Sequence, residues 1–392
     1  MQEVAAEMAI DYIHNYNYRS GRKWFEISGA AGTGKTTVVR EIINRSHIDI
    51  NKVMFVAFVG KATLALRMNG LNAKTIHSSI YDLVKTYDTD NWGNVIIRNG
   101  KPVYKTKFVK KDKLDGDPML IVLDEGGMVA ESMANDLLSF GVPMLVLGDK
   151  HQLPPVFGNS MFLSNPDVTL NEIMRQSKDS PIIYLSQLAM YGYPIPYGTY
   201  GDNECLVIRK KDLTDDLLRQ SDIVICGKNT TRDVLNNHIR SKIYNITDKN
   251  LCIGDKLICR QNNWDRCMEN DNNIALVNGL IGYVDSIYYN TRSGAYMEID
   301  FRPEFTTEKF KSVEIEHNYI FMPYEKRKTT NTMYTNGIIF ELGYCITCHL
   351  SQGSQYDTVL VYVDIPNGKS DYYQKWLYTA ITRAKKRLIL VI

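Results

Sequence analysis

Short apolar runs recur along the chain, and several stop abruptly on glycine or acid. "KWFEISGAAGTGKTTVVREII" reads as an apolar strand, a glycine loop and a helix. "MLIVLDEGGMV" is a buried strand that ends on Asp124 and Glu125. "LVLGDKHQLPPV" repeats the pattern, ending on Gly148 and Asp149 before Gln152 and the Pro154–Pro155 pair. Prolines fix φ and donate no hydrogen bond, so this exit is held in one shape. After "YGYPIPYGTYGDN" (191–203), a Gly/Pro/Tyr-rich crossing, "SDIVICGKNTTRDVLNNHI" restarts the strand–loop–helix pattern. "GDKLICRQNNW" and "ALVNGLIGYV" read as further strands of that second unit.

Two excursions break this rhythm. In 81–116, "NVIIRNGKPVYKTKFV" carries Asn99–Gly100 between apolar runs, which signals a hairpin. In 285–335, stretches such as "VDSIYYNTRSGAYMEIDF" alternate with period 2 around a glycine turn, as small antiparallel β does.

At 392 residues the chain exceeds one ordinary core, so several domains are expected. With 44% hydrophobic and 23% charged residues, the composition is that of a soluble protein. No apolar run approaches the roughly 18–20 residues of a membrane span, and "MQEVAAEMAIDYI" is no signal peptide. Seven scattered cysteines fit a reducing cytosol, and "CITC" reads as two small apolar residues in a buried strand. The net charge of +2 does not argue for nucleic acid. Locally, Lys101 to Lys113 is basic with Tyr104 and Phe108 interleaved, either a solvated face or a strand-binding surface.

The glycine loop carries the most specific chemistry. Gly29, Gly34, Lys35 and Thr36 fit G-x-x-x-x-G-K-[ST], with Gly32 between them. Backbone N–H groups there cradle phosphates at a helix N-terminus; Lys35 reaches the β/γ-phosphates and the Thr36 hydroxyl ligates Mg²⁺. Thr33 and Thr37 complete the ATP-binding segment. Asp124 is expected in the Mg²⁺ shell and Glu125 beside the attacking water. Adjacent acids on a strand point to opposite faces, so the two take different parts. Gln152 is expected at the γ-phosphate, since ligands of such sheets sit at the carboxyl ends of the strands.

With these segments in order, the chain resembles superfamily 1 helicases, in the branch of RecD and Dda. "GAAGTGKTT", "VLDEGGMV" and "LGDKHQLPPV" resemble motifs I, II and III; "LNEIMRQSKDSPI" resembles motif IV; "YCITCHLSQGSQYD" and "LYTAITRAKKRL" resemble motifs V and VI. The resemblance places Arg175 near the γ-phosphate and makes Arg383 an arginine finger, whose planar guanidinium forks onto phosphate oxygens. It makes Gln2 an adenine-reading glutamine, against an idle exposed one. "FVAFVGKATLAL" and "AKTIHSSI" resemble the strand-gripping segments, so Phe58, Lys61, Thr75, His77, His349 and Ser351 become candidate nucleic-acid contacts. The sequence departs from the family in Gly126–Gly127 after the acids, in Phe58–Val59, and in Leu350.

The resemblance implies two RecA-like parallel-sheet domains, 1–80 with 117–192 and 204–284 with 336–392. A hairpin (81–116) is inserted in the first and an SH3-like β insert (285–335) in the second. The implied activity is ATP-dependent, Mg²⁺-requiring DNA unwinding, 5′ to 3′, by a monomeric motor. Its partners would be single-stranded DNA, DNA forks and replication or recombination proteins, in the cytoplasm of a bacterial or phage-infected cell. A single-strand translocase without efficient unwinding and a silent accessory subunit are the alternatives, and RNA as substrate stays open.

Overall fold

The computed structural model describes the chain except residues 20, 31, 90–91, 99–100, 103, 156–157, 159, 171–179, 269–273, 290–296, 331–336 and 366–369. Six parallel strands form a first sheet, in the order Val168–Leu170, Trp24–Gly29, Met144–Gly148, Leu120–Asp124, Val53–Ala57, Ala73–Thr75. Both faces are covered. The helix Lys35–Arg45 lays Val38, Val39, Ile42 and Ile43 on one side, and the helix Gln2–His14 adds Ala5, Ala6 and Ala9. Val129, Ala134 and Leu137 close the other side. Strands so enclosed must be apolar throughout, which is why they read as continuous runs.

A second sheet has the order Gly198–Tyr200, Cys205–Ile208, Ala384–Val391, Tyr356–Tyr362, Ile223–Cys226, Cys345–Thr347, parallel but for its first strand. Cys345 and Cys348 are both fully buried, but only Cys345 lies in this sheet; the strand expected of "CITC" ends at Thr347, and Cys348 opens a short helix. One helix changes sides relative to the sequence reading. Pro181–Tyr191, expected to close the first motor domain, packs Ile182, Leu185 and Ala189 with Trp376, Leu377 and Ile381 of the helix Asp371–Ile381. An apolar helical stripe needs a cover but does not say which sheet supplies it.

The third sheet is antiparallel and five-stranded: Phe310–Ile315, Met297–Pro303, Ile281–Tyr289, Lys256–Cys259, Phe340–Leu342. It stands where the small β insert was expected, and it reaches further. Lys256–Cys259, read as a motor strand, and Phe340–Leu342 belong to it. A short strand buried on both faces looks the same in sequence whether its neighbours are parallel or antiparallel. Phe301, Phe310 and Phe340 fill its core, which runs on into Val224, Cys226 and Leu360 of the second sheet.

The hairpin excursion is also present. Tyr81–Tyr87 pairs antiparallel with Tyr104–Lys110, and beyond them Ile97–Arg98 pairs with Lys101–Pro102. Asn99 and Gly100, the expected turn, lie outside the described residues, as does Arg175.

Candidate active site

The first sheet presents its strand ends to the second. After Gly29 the chain turns through Gly32 (φ +86°) and Gly34 (φ +82°), the left-handed region that a side chain resists, and the helix starts at Lys35. Space is as tight as the backbone. A Cβ on Gly29 would lie 2.5 Å from Thr33 Oγ1, and one on Gly34 would lie 2.6 Å from Gln2 Nε2. Lys35 Nζ donates to the carbonyls of Gly29 (2.6 Å) and Ala30 (3.1 Å). Gln2 is not idle: its amide donates to the Thr33 carbonyl at 2.9 Å and so braces the loop from behind.

A cleft of about 560 Å³ opens in front of this loop. Gly32, Gly34, Lys35, Thr36, Thr37, Asp124, Glu125 and Gln152 line it from the first domain, and Gly353, Ser354, Arg383 and Lys385 from the second. The strand ends at Asp124, and Glu125 then takes φ +53°. That left-handed residue breaks the alternation of faces expected of the acid pair and brings both carboxyls to one cleft. Gly126 explains why no larger residue follows, since a Cβ there would strike Val146. Burial pushes both carboxyls above their ordinary range; the Lys35 ammonium opposes this at both, and the Arg383 guanidinium at Glu125.

Arg383 is buried, with Nε donating to the Thr379 carbonyl (2.9 Å) and Nη1 to the Ser354 carbonyl (3.1 Å). Gln152 is buried too, and its Oε1 makes no hydrogen bond. The loop around it is held from across the cleft. Tyr378 donates its hydroxyl proton to Asp149 (2.6 Å), Leu153 N–H donates to Thr379 Oγ1 (2.9 Å), and Gln352 Nε2 donates to the Leu153 carbonyl (3.1 Å). Sequence reading noted Asp149 at the strand end without giving it a role, and it singled out none of Tyr378, Thr379 or Gln352.

This donor set suits a nucleoside triphosphate with Mg²⁺. Hard oxygens from Thr36 and Asp124 fit an ion that takes one or two protein ligands and completes its shell with phosphates and water. A buried glutamine oxygen lacking a donor fits a site where water is to be oriented.

The strand-contact candidates divide. Phe58 and His77 come together with Tyr81 and Phe108 of the hairpin, the imidazole lying 5.3 Å from the Phe108 ring and 6.2 Å from Phe58. Lys61 goes elsewhere: it lines the nucleotide cleft, 3.0 Å from the Tyr356 hydroxyl and over its ring. Thr75 is buried, its hydroxyl accepting from Ser78 N–H to cap the helix Ile76–Ile80. Ser351 is fully buried, donating to the Cys348 carbonyl. Helix geometry has used both hydroxyls locally, so neither presents itself to a strand. His349, on the helix Cys348–Ser351, is partly buried.

Two family profiles fall on opposite sides of this cleft. Residues 14–196 match an AAA domain, and residues 342–391 match the UvrD-like helicase C-terminal domain. The chain thus matches an AAA domain and, C-terminal to it, a UvrD-like helicase C-terminal domain. Among similar proteins, the ATP-dependent RecD2 DNA helicase of Deinococcus radiodurans is 22% identical over 94% of this chain and 47% of its own. An uncharacterised protein of Methanocaldococcus jannaschii is 26% identical over 93% of this chain and 36% of its own. The chain thus spans less than half the length of these curated relatives. In fold it is similar to Bacteroides Pif1 bound to single-stranded DNA, with TM-score 0.55, 16% identity, and coverage of 100% of this chain and 92% of the other. Pif1 from Candida albicans gives TM-score 0.54 at 18% identity, covering 99% and 93%.

Proposed function

We propose that this chain is an ATP-driven motor of superfamily 1 that moves 5′ to 3′ along single-stranded DNA and separates duplex at a fork. The observation that carries this is the composition of the cleft: Lys35, Asp124 and Glu125 line it from one domain and Arg383 from the other. Mg²⁺, when bound, would neutralise the charge that develops on the phosphates. Lys35 holds the β/γ-phosphates, Glu125 accepts the proton of the attacking water, Gln152 orients that water, and Arg383 meets the leaving charge. Since both sides of the cleft belong to one chain, a single copy completes the site, and turnover opens and closes the two domains on each other. The grouped rings of Phe58, His77, Tyr81 and Phe108 offer stacking surface at the foot of the hairpin, suited to bases of any sequence. RecD2 is named a DNA helicase and Pif1 was solved on single-stranded DNA, which supports DNA as the strand.

The test uses labelled duplexes with a single-stranded tail at the 5′ or the 3′ end, in DNA and in RNA, with Lys35→Ala as control. Opening of the 5′-tailed DNA alone, and none by the variant, is expected. Opening only from 3′ tails would overturn the polarity, and preference for RNA the substrate. Hydrolysis stimulated by single strands without opening would leave a translocase.

A further inference from the structure

We infer that Tyr378 is a positioning residue: through Asp149, the second motor domain sets where Gln152 stands in the nucleotide cleft. This rests on the reading of the chain as an ATP-driven motor. Asp149 is buried, and its carboxylate is divided between two donors. One oxygen accepts from His151 N–H within the loop (3.0 Å), and the other accepts from the Tyr378 hydroxyl across the domain boundary (2.6 Å). Four residues on, Leu153 is gripped at both its N–H and its carbonyl, by Thr379 and Gln352 of the second domain. Gln152 lies between these two clamps, its own N–H donating to the Asp149 carbonyl (3.1 Å), and Pro154–Pro155 stiffen the exit.

The clamp and the arginine finger share one carrier. Tyr378 and Thr379 occupy the last turn of the helix Asp371–Ile381, and Arg383 follows with Nε on the Thr379 carbonyl. A displacement of this helix that moves Arg383 therefore pulls on Asp149 and Leu153 together. Buried hydrogen bonds to a carboxylate are among the stronger ones, so the loop follows the helix instead of relaxing away from it. Gln152 has no other hydrogen bond through Oε1 to hold it back.

A double-mutant cycle on strand-stimulated ATP hydrolysis tests this, since a bond that merely holds the fold would give independent losses. Tyr378→Phe should lower kcat about tenfold while KM for ATP stays within about twofold. In a Gln152→Ala background the same change should lower kcat no further than about twofold. Losses that multiply, or an unchanged kcat in Tyr378→Phe, would overturn the inference. Circular dichroism and thermal unfolding monitor folding. If Tyr378→Phe does not fold, Thr379→Val, which removes only the hydroxyl under Leu153 N–H, enters the same cycle with the same two readings. An unaltered protein without strand-stimulated hydrolysis would overturn the motor reading and this one with it. Multiplied losses in an active protein overturn the clamp alone.

Discussion

At the scale of single residues, backbone conformation decides what the chemistry receives. Gly34 sits at φ +82° with Gln2 against it, so Gly34→Ala meets both backbone strain and a clash. A left-handed L-residue costs about 1–2 kcal/mol, and ATP affinity should fall at least about tenfold, as titration of a fluorescent ATP analogue would show. A second residue-scale effect is electrostatic. Burial among aromatic rings pushes His77 below its ordinary value. The unfolded chain then binds more protons than the folded one once the pH falls below about 6.5, so this contribution is present above that pH and lost on acidification. The stability of the wild type relative to His77→Phe should therefore decline from pH 7.5 to 5.5 in urea unfolding; a flat difference would refute it.

Among elements, the hairpin is the one whose proposed part in unwinding can be isolated. Its long ladder ends at the Tyr87–Tyr104 pair, so residues 88–103 can be replaced by an Asn-Gly turn without disturbing the pairing below. Strand-stimulated hydrolysis should stay within about twofold while duplex opening falls at least about tenfold. Retained opening would remove the wedge role. The same scale shows what the sequence could and could not disclose. The P-loop and the acid-ended strand were legible because phosphate and metal chemistry demands particular residue types at fixed spacing. The hydroxyls of Thr75 and Ser351 are engaged within their own helices, which the sequence does not disclose, since a hydroxyl serves a helix or a phosphate equally well. Lys61 lies at the cleft against Tyr356, a neighbour that the likeness of its segment to strand-gripping helices does not disclose. Glu125 joined Asp124 only through a left-handed turn that no local pattern announces.

For the molecule as a whole, the helix Pro181–Tyr191 packs with the second sheet's elements and covers Trp376 and Leu377. A fragment of 180–392 should accordingly unfold more cooperatively and stay more soluble than one of 204–392, which leaves those side chains to water. Equal behaviour of the two, in circular dichroism melts and sedimentation, would argue that the helix is dispensable. The five-stranded sheet makes a different kind of unit. The chain enters it along Lys256–Cys259 and leaves along Phe340–Leu342, and these strands lie side by side with Leu257 opposite Leu342. Entry and exit are thus one antiparallel step apart, about 5 Å. A loop of that reach can lengthen, shrink or be exchanged while its two ends remain where they are. Descendants of this chain can therefore acquire new surfaces above the motor by insertion alone, leaving the inherited engine beneath them unretuned.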